Sequence, residues 1–134
     1  SGRRLIKFQI SQTSPNDFSI SFHKLAHSEY IHSLPIISCI FWEELNTHIV
    51  TSVDIVLLLE FLVQQSFTIE EKNRIRRNLQ SLKTYTISRL NQKNRRFFQL
   101  LMKMEDPRPR NIEKDLKIFK WRDLFEALKK VLSK

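Results

Sequence analysis

The sequence predicts an α+β fold: one domain over residues 1–134, two β-hairpins packed on about four helices, with a helix-turn-helix-like centre. Three observations predict it. Residues 3–10 and 18–22 alternate apolar and polar positions, the period of a half-buried strand. Residues 52–65 are apolar at almost every helical angle. Residues 68–83 carry one apolar stripe at helical spacing and are charged elsewhere.

Composition supports a single folded unit. Hydrophobic residues make up 41% of 134, enough to build a core rather than remain disordered. The single glycine excludes glycine-rich phosphate loops. No apolar run approaches the roughly 18 residues of a membrane span, and no signal peptide is visible. The chain opens Ser1-Gly2 without a methionine, so a longer parent protein is expected. Cys39 is the only cysteine, which fits a reducing compartment, cytosol or nucleus. Its neighbours Ile37, Ile40 and Phe41 are apolar, so a buried, inert thiol is expected.

The elements follow in order. Ile6, Phe8 and Ile10 share one strand face, Ser14-Pro15-Asn16-Asp17 is turn chemistry, and Phe18, Ile20 and Phe22 alternate again. This reads as a hairpin with one buried face. Residues 23–35 are polar and read as a loop. His23, His27 and His32, with Glu29 nearby, lack the HExxH pattern or cysteine pair that would complete a zinc site. They read as loop histidines, and no metal or cofactor is expected.

Ile36–Trp42 (IISCIFW) is a continuous apolar run, a core strand; residues 43–46 turn the chain and Thr47–Thr51 returns it. Thr51, with Asp54 three residues on, caps the helix over 52–65, which should be the buried central helix. The same apolar helix is the candidate surface for a second copy of the chain or another protein. Ser66-Phe67 links it to the next helix, the order of a helix-turn-helix.

That next helix, over residues 68–83, opens with a capping box from Thr68 and Glu71. Ile75, Leu79 and Leu82 form its apolar stripe. Asn73, Arg77 and Gln80 lie opposite, flanked by Arg74 and Arg76. Asn, Gln and Arg are the side chains that contact adenine and guanine edges bidentately in the major groove. The same pattern also suits a plain solvated helix face.

Residues 85–90 are irregular or a short strand, and 92–104 form a third helix with Phe97, Phe98, Leu100, Leu101, Met102 and Met104 on its apolar arc. Residues 105–111 (EDPRPRN) form a proline-stiffened loop holding Arg108 and Arg110 on a restricted backbone. Residues 115–121 read as a short strand. Trp121, Leu124, Phe125, Leu128, Val131 and Leu132 then mark a closing helix, with acids early and lysines late.

Charge separates the function classes. Residues 1–71 hold 4 Lys/Arg against 8 Asp/Glu, whereas 72–134 hold 19 against 6, a net of −4 and then +13. An asymmetry of that size points to a polyanion facing the second half. Catalysis finds no support: there is no nucleophile elbow, no His/Cys pairing and no carboxylate pair on one predicted face, so neither an enzyme nor a small-molecule substrate is expected. Phe97 and Phe98 sit on a core stripe rather than on an exposed stacking surface, which disfavours RNA. Every apolar helix face is committed to the core, which disfavours a membrane. Double-stranded DNA accounts for both the charge and the Asn/Arg/Gln face.

Specific strings carry a family resemblance. Ser38-Cys39-Ile40-Phe41-Trp42-Glu43-Glu44, Val50-Thr51-Ser52-Val53-Asp54 and the run from Phe67 to Leu79 containing EEKNRIRRNL resemble the domain of Medusa-type fungal developmental regulators. So do residues 97–102 (FFQLLM) and 107–115 (PRPRNIEKD), followed by Lys117, Phe119 and Trp121. The resemblance covers residues 36–134, with the hairpin and loop of 1–35 outside it. More distantly, SCIFW, the returning strand, the helix with Asp54 at its start and the terminal FxW with its helix resemble the DNA-binding domain of the "sterile twelve" mating and filamentation factors. Both families imply a nuclear fungal transcription regulator, and the second implies sequence-specific DNA binding.

The expected site follows. Asn73, Arg77 and Gln80 read base edges. Lys72, Arg74, Arg76, Lys83, Arg108, Arg110, Lys114 and Lys117 contact phosphates, and Asn111 belongs to the same DNA-contacting set. The alternative is a protein-interaction or dimerisation module of a nuclear regulator, built on the apolar helix or the closing helix, for a second copy of the chain or other transcription factors.

Overall fold

The computed structural model describes residues 2–14, 17–88, 90–105, 109 and 116–132, and of 10–14, 17–19 and 132 the backbone alone. Strand pairing begins with β1 (Arg3–Ser14) and β2 (Asp17–Leu25), an antiparallel hairpin that sets Phe8 opposite Phe22 and Ile10 opposite Ile20. Both strands run further than their alternation suggests, so His23 lies in β2 rather than in the loop.

β3 (Ile36–Trp42) adds to the free side of β1, setting Ile6 opposite Ile37. A tight turn through Glu43–Leu45 ends at Asn46, which takes the left-handed conformation at φ 49° and reverses the chain into β4 (Thr47–Thr51). The two expected hairpins are therefore present, fused by the β1–β3 ladder. β5 (Tyr85–Ile87) and β6 (Leu116–Lys120) extend the sheet, with Val50 opposite Phe119 and Thr86 opposite Lys117. The result is one antiparallel six-stranded sheet in the order β2-β1-β3-β4-β6-β5.

Four helices cover this sheet unequally. α1 (Ser52–Val63), α2 (Ile69–Leu79) and α4 (Leu124–Leu132) lie on one face, where Ile37, Cys39, Val50 and Phe119 meet Ile55, Leu59, Ile75, Leu79, Leu124 and Leu128. α3 (Arg95–Met102) lies on the other, where Phe97, Phe98 and Leu101 meet Ile40, Trp42, Ile49 and Ile118. The Trp42 and Phe97 rings stack at 5.2 Å between centroids. Two covered faces explain why IISCIFW is continuously apolar instead of alternating: alternate residues serve different cores. Burial pushes the Cys39 thiol up to about 11, so it stays protonated.

The strand-to-helix corner is closed by side chains. Past the Ile40–Ile49 pair the β3–β4 ladder opens, and the Asp54 carboxylate accepts the N–H of Ser38 at 3.1 Å. Thr51 Oγ1 accepts from the Asp54 N–H at 3.2 Å, the expected cap. α1 stops at Val63, two residues short of expectation, because Gln64 turns left-handed at φ 58°. Its carboxy-terminal end is also less covered than an all-round apolar helix suggests, with Val63 exposed.

Two other helices are shorter than their periodicity. α2 ends at Leu79 rather than at 83, with Gln80 as its C-cap. α3 begins at Arg95 because the preceding asparagines spend their side chains on the loop. Asn94 Oδ1 accepts from the Ser88 N–H, Asn94 Nδ2 donates to the Thr86 carbonyl, and Asn91 Oδ1 accepts from the Lys93 N–H. α2 leans chiefly on α4, from the far end of the chain, and less on α1. The whole is a single small α+β domain.

Candidate nucleic-acid interface

α2 is placed by its two ends and its apolar stripe. At its start, Thr68 Oγ1 accepts the Glu71 N–H at 3.1 Å while Glu71 Oε1 accepts the Thr68 N–H at 3.0 Å. This reciprocal box holds the Glu71 carboxyl below its ordinary range, first through the Thr68 backbone bond and then through the Thr68 side chain. The link before it is held by Glu60, whose carboxylate accepts the Phe67 N–H at 2.7 Å. Ile75 and Leu79 are buried and Leu82 packs beside them, so the opposite face is turned to solvent.

On that face Asn73, Arg77 and Gln80 are all exposed. The geometry keeps Asn73 and Arg77 on the helix proper and moves Gln80 to its C-cap, where its N–H donates to the Arg77 carbonyl at 3.2 Å. Arg76 Nη1 donates to Asn73 Oδ1 at 3.3 Å, which orients the amide and leaves its Nδ2 donors unused by that bond. Lys72 and Arg76 are half-buried on one flank of the apolar stripe. Arg74 is exposed on the other flank, beside an open groove of about 530 Å³ lined by Leu59, Val63, Phe67, Ile75, Asn78 and Val131 among others.

Two further predicted residues reach the sheet edge. Lys83 lies beyond the helix, a correction to its expected place, with its ammonium 5.7 Å from the centre of the Tyr85 ring. Lys117 lies in β6, and strand alternation puts it on the same sheet face as Phe119, the face that α2 covers. Its Nζ donates to Thr86 Oγ1 at 2.6 Å. Arg108, Arg110, Asn111 and Lys114 lie outside the described residues.

Sequence reasoning passed over Ile69, which is 79% exposed in the first turn of α2. At 100° per residue it shares the solvated side with Asn73 and Gln80, and an apolar side chain there suits the methyl group of thymine. It also left aside Lys93, Arg95 and Arg96, all exposed around the start of α3. α3 covers the opposite sheet face, so these cations belong to a different surface from α2.

Among the described residues, no cluster of three or more His, Cys, Asp or Glu is arranged to hold a metal ion. No helix among them is long and apolar enough to cross a membrane. A family model described as Domain of unknown function (DUF7082) matches residues 1–132. No curated protein matches the chain, and no solved structure matches it.

Proposed function

The chain belongs to the DUF7082 family, and we propose that it binds double-stranded DNA sequence-specifically, as a domain of a nuclear fungal transcription regulator. The observation that carries this reading is the outward face of α2: Asn73 and Arg77 exposed along the helix and Gln80 exposed at its end, opposite buried Ile75 and Leu79. These side chains can pair with purine edges, and a single helix fits the major groove. Asn73, Arg77 and Gln80 read bases. Lys72, Arg74, Arg76, Lys83, Lys117, Arg108, Arg110 and Lys114 contact phosphates, and Asn111 belongs to the same DNA-contacting set. α1, the linking turn and α2 act together as a helix-turn-helix-like centre. The family resemblance of the EEKNRIRRNL and PRNIEKD strings supports the same reading.

The test is selection of bound duplexes from a random library followed by sequencing, with gel shifts of the winners at two salt concentrations. An enriched motif is expected, with affinity falling as salt rises by a slope of about −0.9 per phosphate contact. Weak binding with no enriched motif would remove sequence reading, and no duplex binding even at low salt would overturn the proposal. A second reading, a protein-interaction module, draws on the groove between α1, α2 and α4, whose lining mixes apolar side chains such as Leu59, Val63 and Phe67 with Glu71 and Arg74. Binding of a nuclear partner that survives the loss of Arg77 but not a bulky substitution at Val63 would favour it.

A further inference from the structure

β2 is the outermost strand at one end of the sheet, and among the described residues it pairs only with β1. An unpaired edge is a template for another strand, and proteins usually guard it with charge, proline or a bulge. From residue 18 to residue 22 this edge carries neither charge nor proline. The register irregularity of the hairpin lies nearer its tip, between Gln12 and Ser14 of β1.

The edge is also self-complementary. Residues 17–23 read Asp-Phe-Ser-Ile-Ser-Phe-His, nearly the same in both directions about Ile20. We infer that β2 pairs antiparallel with β2 of a second copy of this chain, with the two-fold axis passing at Ile20, joining two sheets into one. In that register Ile20 opposes its own counterpart and Ser19 opposes the partner's Ser21. Phe18 opposes the partner's Phe22, and Asp17 opposes the partner's His23. Apolar meets apolar, small polar meets small polar, and the terminal pair is an acid with a base. A slip of one residue sets serines against the Phe/Ile row and turns the partner's helical layer to the other side of the sheet. A slip of two sets Phe18 against Lys24 or leaves it without Phe22.

Side chains beside the edge add apolar surface. Phe22 is 44% exposed, and its ring lies 5.7 Å from that of Phe125, itself 39% exposed. Trp121 stands 6.4 Å from Phe22, and buried Phe8 backs the group. This ledge runs along the strand that the second copy would join, and the dimer would cover it. A two-fold arrangement is closed, because each copy spends its one β2 edge. The inference does not depend on DNA binding, although a two-fold dimer would present two α2 faces suited to an inverted repeat.

Two measurements test it. Sedimentation velocity of the whole chain over a wide concentration range should show a monomer–dimer equilibrium that stops at the dimer. Ser19→Cys and Ser21→Cys variants, both at serines, leave the Phe/Ile row intact. Under mild oxidation a mixture of the two should form the cross-linked dimer several-fold faster than either variant alone, because only the mixed pair is directly opposed. A chain monomeric at every concentration overturns the interface. A dimer in which either variant alone cross-links as fast as the mixture, or in which the mixture does not cross-link, overturns the register and with it the inference.

Discussion

The Asp54 carboxylate accepts the backbone N–H of Ser38 at 3.1 Å, tying the first turn of α1 to the core strand β3. Its second oxygen, Oδ1, is buried with no hydrogen-bond partner. Burial pushes the Asp54 carboxyl up to about 7, against the smaller opposing pull of the Ser38 N–H and the nearby Arg3 guanidinium. Arg3 itself reaches this corner by donating from Nε to Ser38 Oγ at 3.1 Å. One buried acid thus joins the amino-terminal strand, the core strand and the central helix.

A pH dependence follows, with a definite sign. The folded chain holds a proton on Asp54 where the unfolded chain has released it. The stabilising contribution is therefore complete below the ordinary carboxylate value, near pH 4, and is lost as pH rises through about 7. Asp54→Asn keeps an acceptor for the Ser38 N–H and removes the titration. Denaturant midpoints measured from about pH 4 to about pH 8 should fall more steeply for the wild-type chain than for the variant. Equal slopes would show that Asp54 titrates normally.

The Thr68–Glu71 box makes an opposite prediction in acid. Glu71 is held below its ordinary value, so its contribution is present at neutral pH and lost as pH falls through the carboxylate range. Thr68→Ala should cost about 0.5–2 kcal/mol at neutral pH. Only the part of that gap carried by the Thr68 hydroxyl's pull on Glu71 should be lost on acidification, since the Glu71 bond to the N–H of residue 68 survives in the variant and titrates alike in both chains, as urea denaturation at both ends of the range would reveal. A gap independent of pH would assign the loss to the Thr68 hydroxyl bond alone.

Arg77 is the sharpest test of sequence reading. Arg77→Ala should cost about 1–3 kcal/mol on the preferred duplex and relax base preference at one position. Competition binding against single-base variants of the selected motif measures both. An equal loss on all sequences would reassign Arg77 to the phosphate backbone.

Lys117 should behave differently. Lys117→Ala is expected to weaken binding evenly across sequences and to reduce the steepness of the salt dependence by about 0.9. Titrations at several salt concentrations read this directly. An altered base preference would contradict a phosphate role for Lys117.

Much of the fold was legible in the residues. The Thr68–Glu71 box, the cap of Thr51 on Asp54 and the Ile75–Leu79 stripe each involve positions three or four apart, and each stands as expected. Helix ends were less legible. Nothing in the periodicity of 92–104 shows that Asn94 hydrogen-bonds to Thr86 and Ser88, yet those bonds delay α3 to Arg95. The candidate site was half legible: helical spacing places Asn73 and Arg77 together, but the end of α2 at Leu79 puts Lys83 against Tyr85 instead.

By itself, then, the sequence determined the α+β class, the outward Asn/Arg face and the concentration of positive charge after residue 71, because periodicity, capping and composition are local quantities. Only the tertiary structure decided that β1 lies inside one sheet between β2 and β3, that α2 rests mainly on α4, and that Lys117 shares the sheet face of α2 while α3 takes the other. It also decided that, among the described residues, β2 is left as an edge. Pairings such as Val50 with Phe119, or Ser38 with Asp54, join residues far apart in the chain. They form because buried backbone groups must find hydrogen-bond partners and apolar faces must be covered, and both conditions are met only when the whole chain has closed on itself.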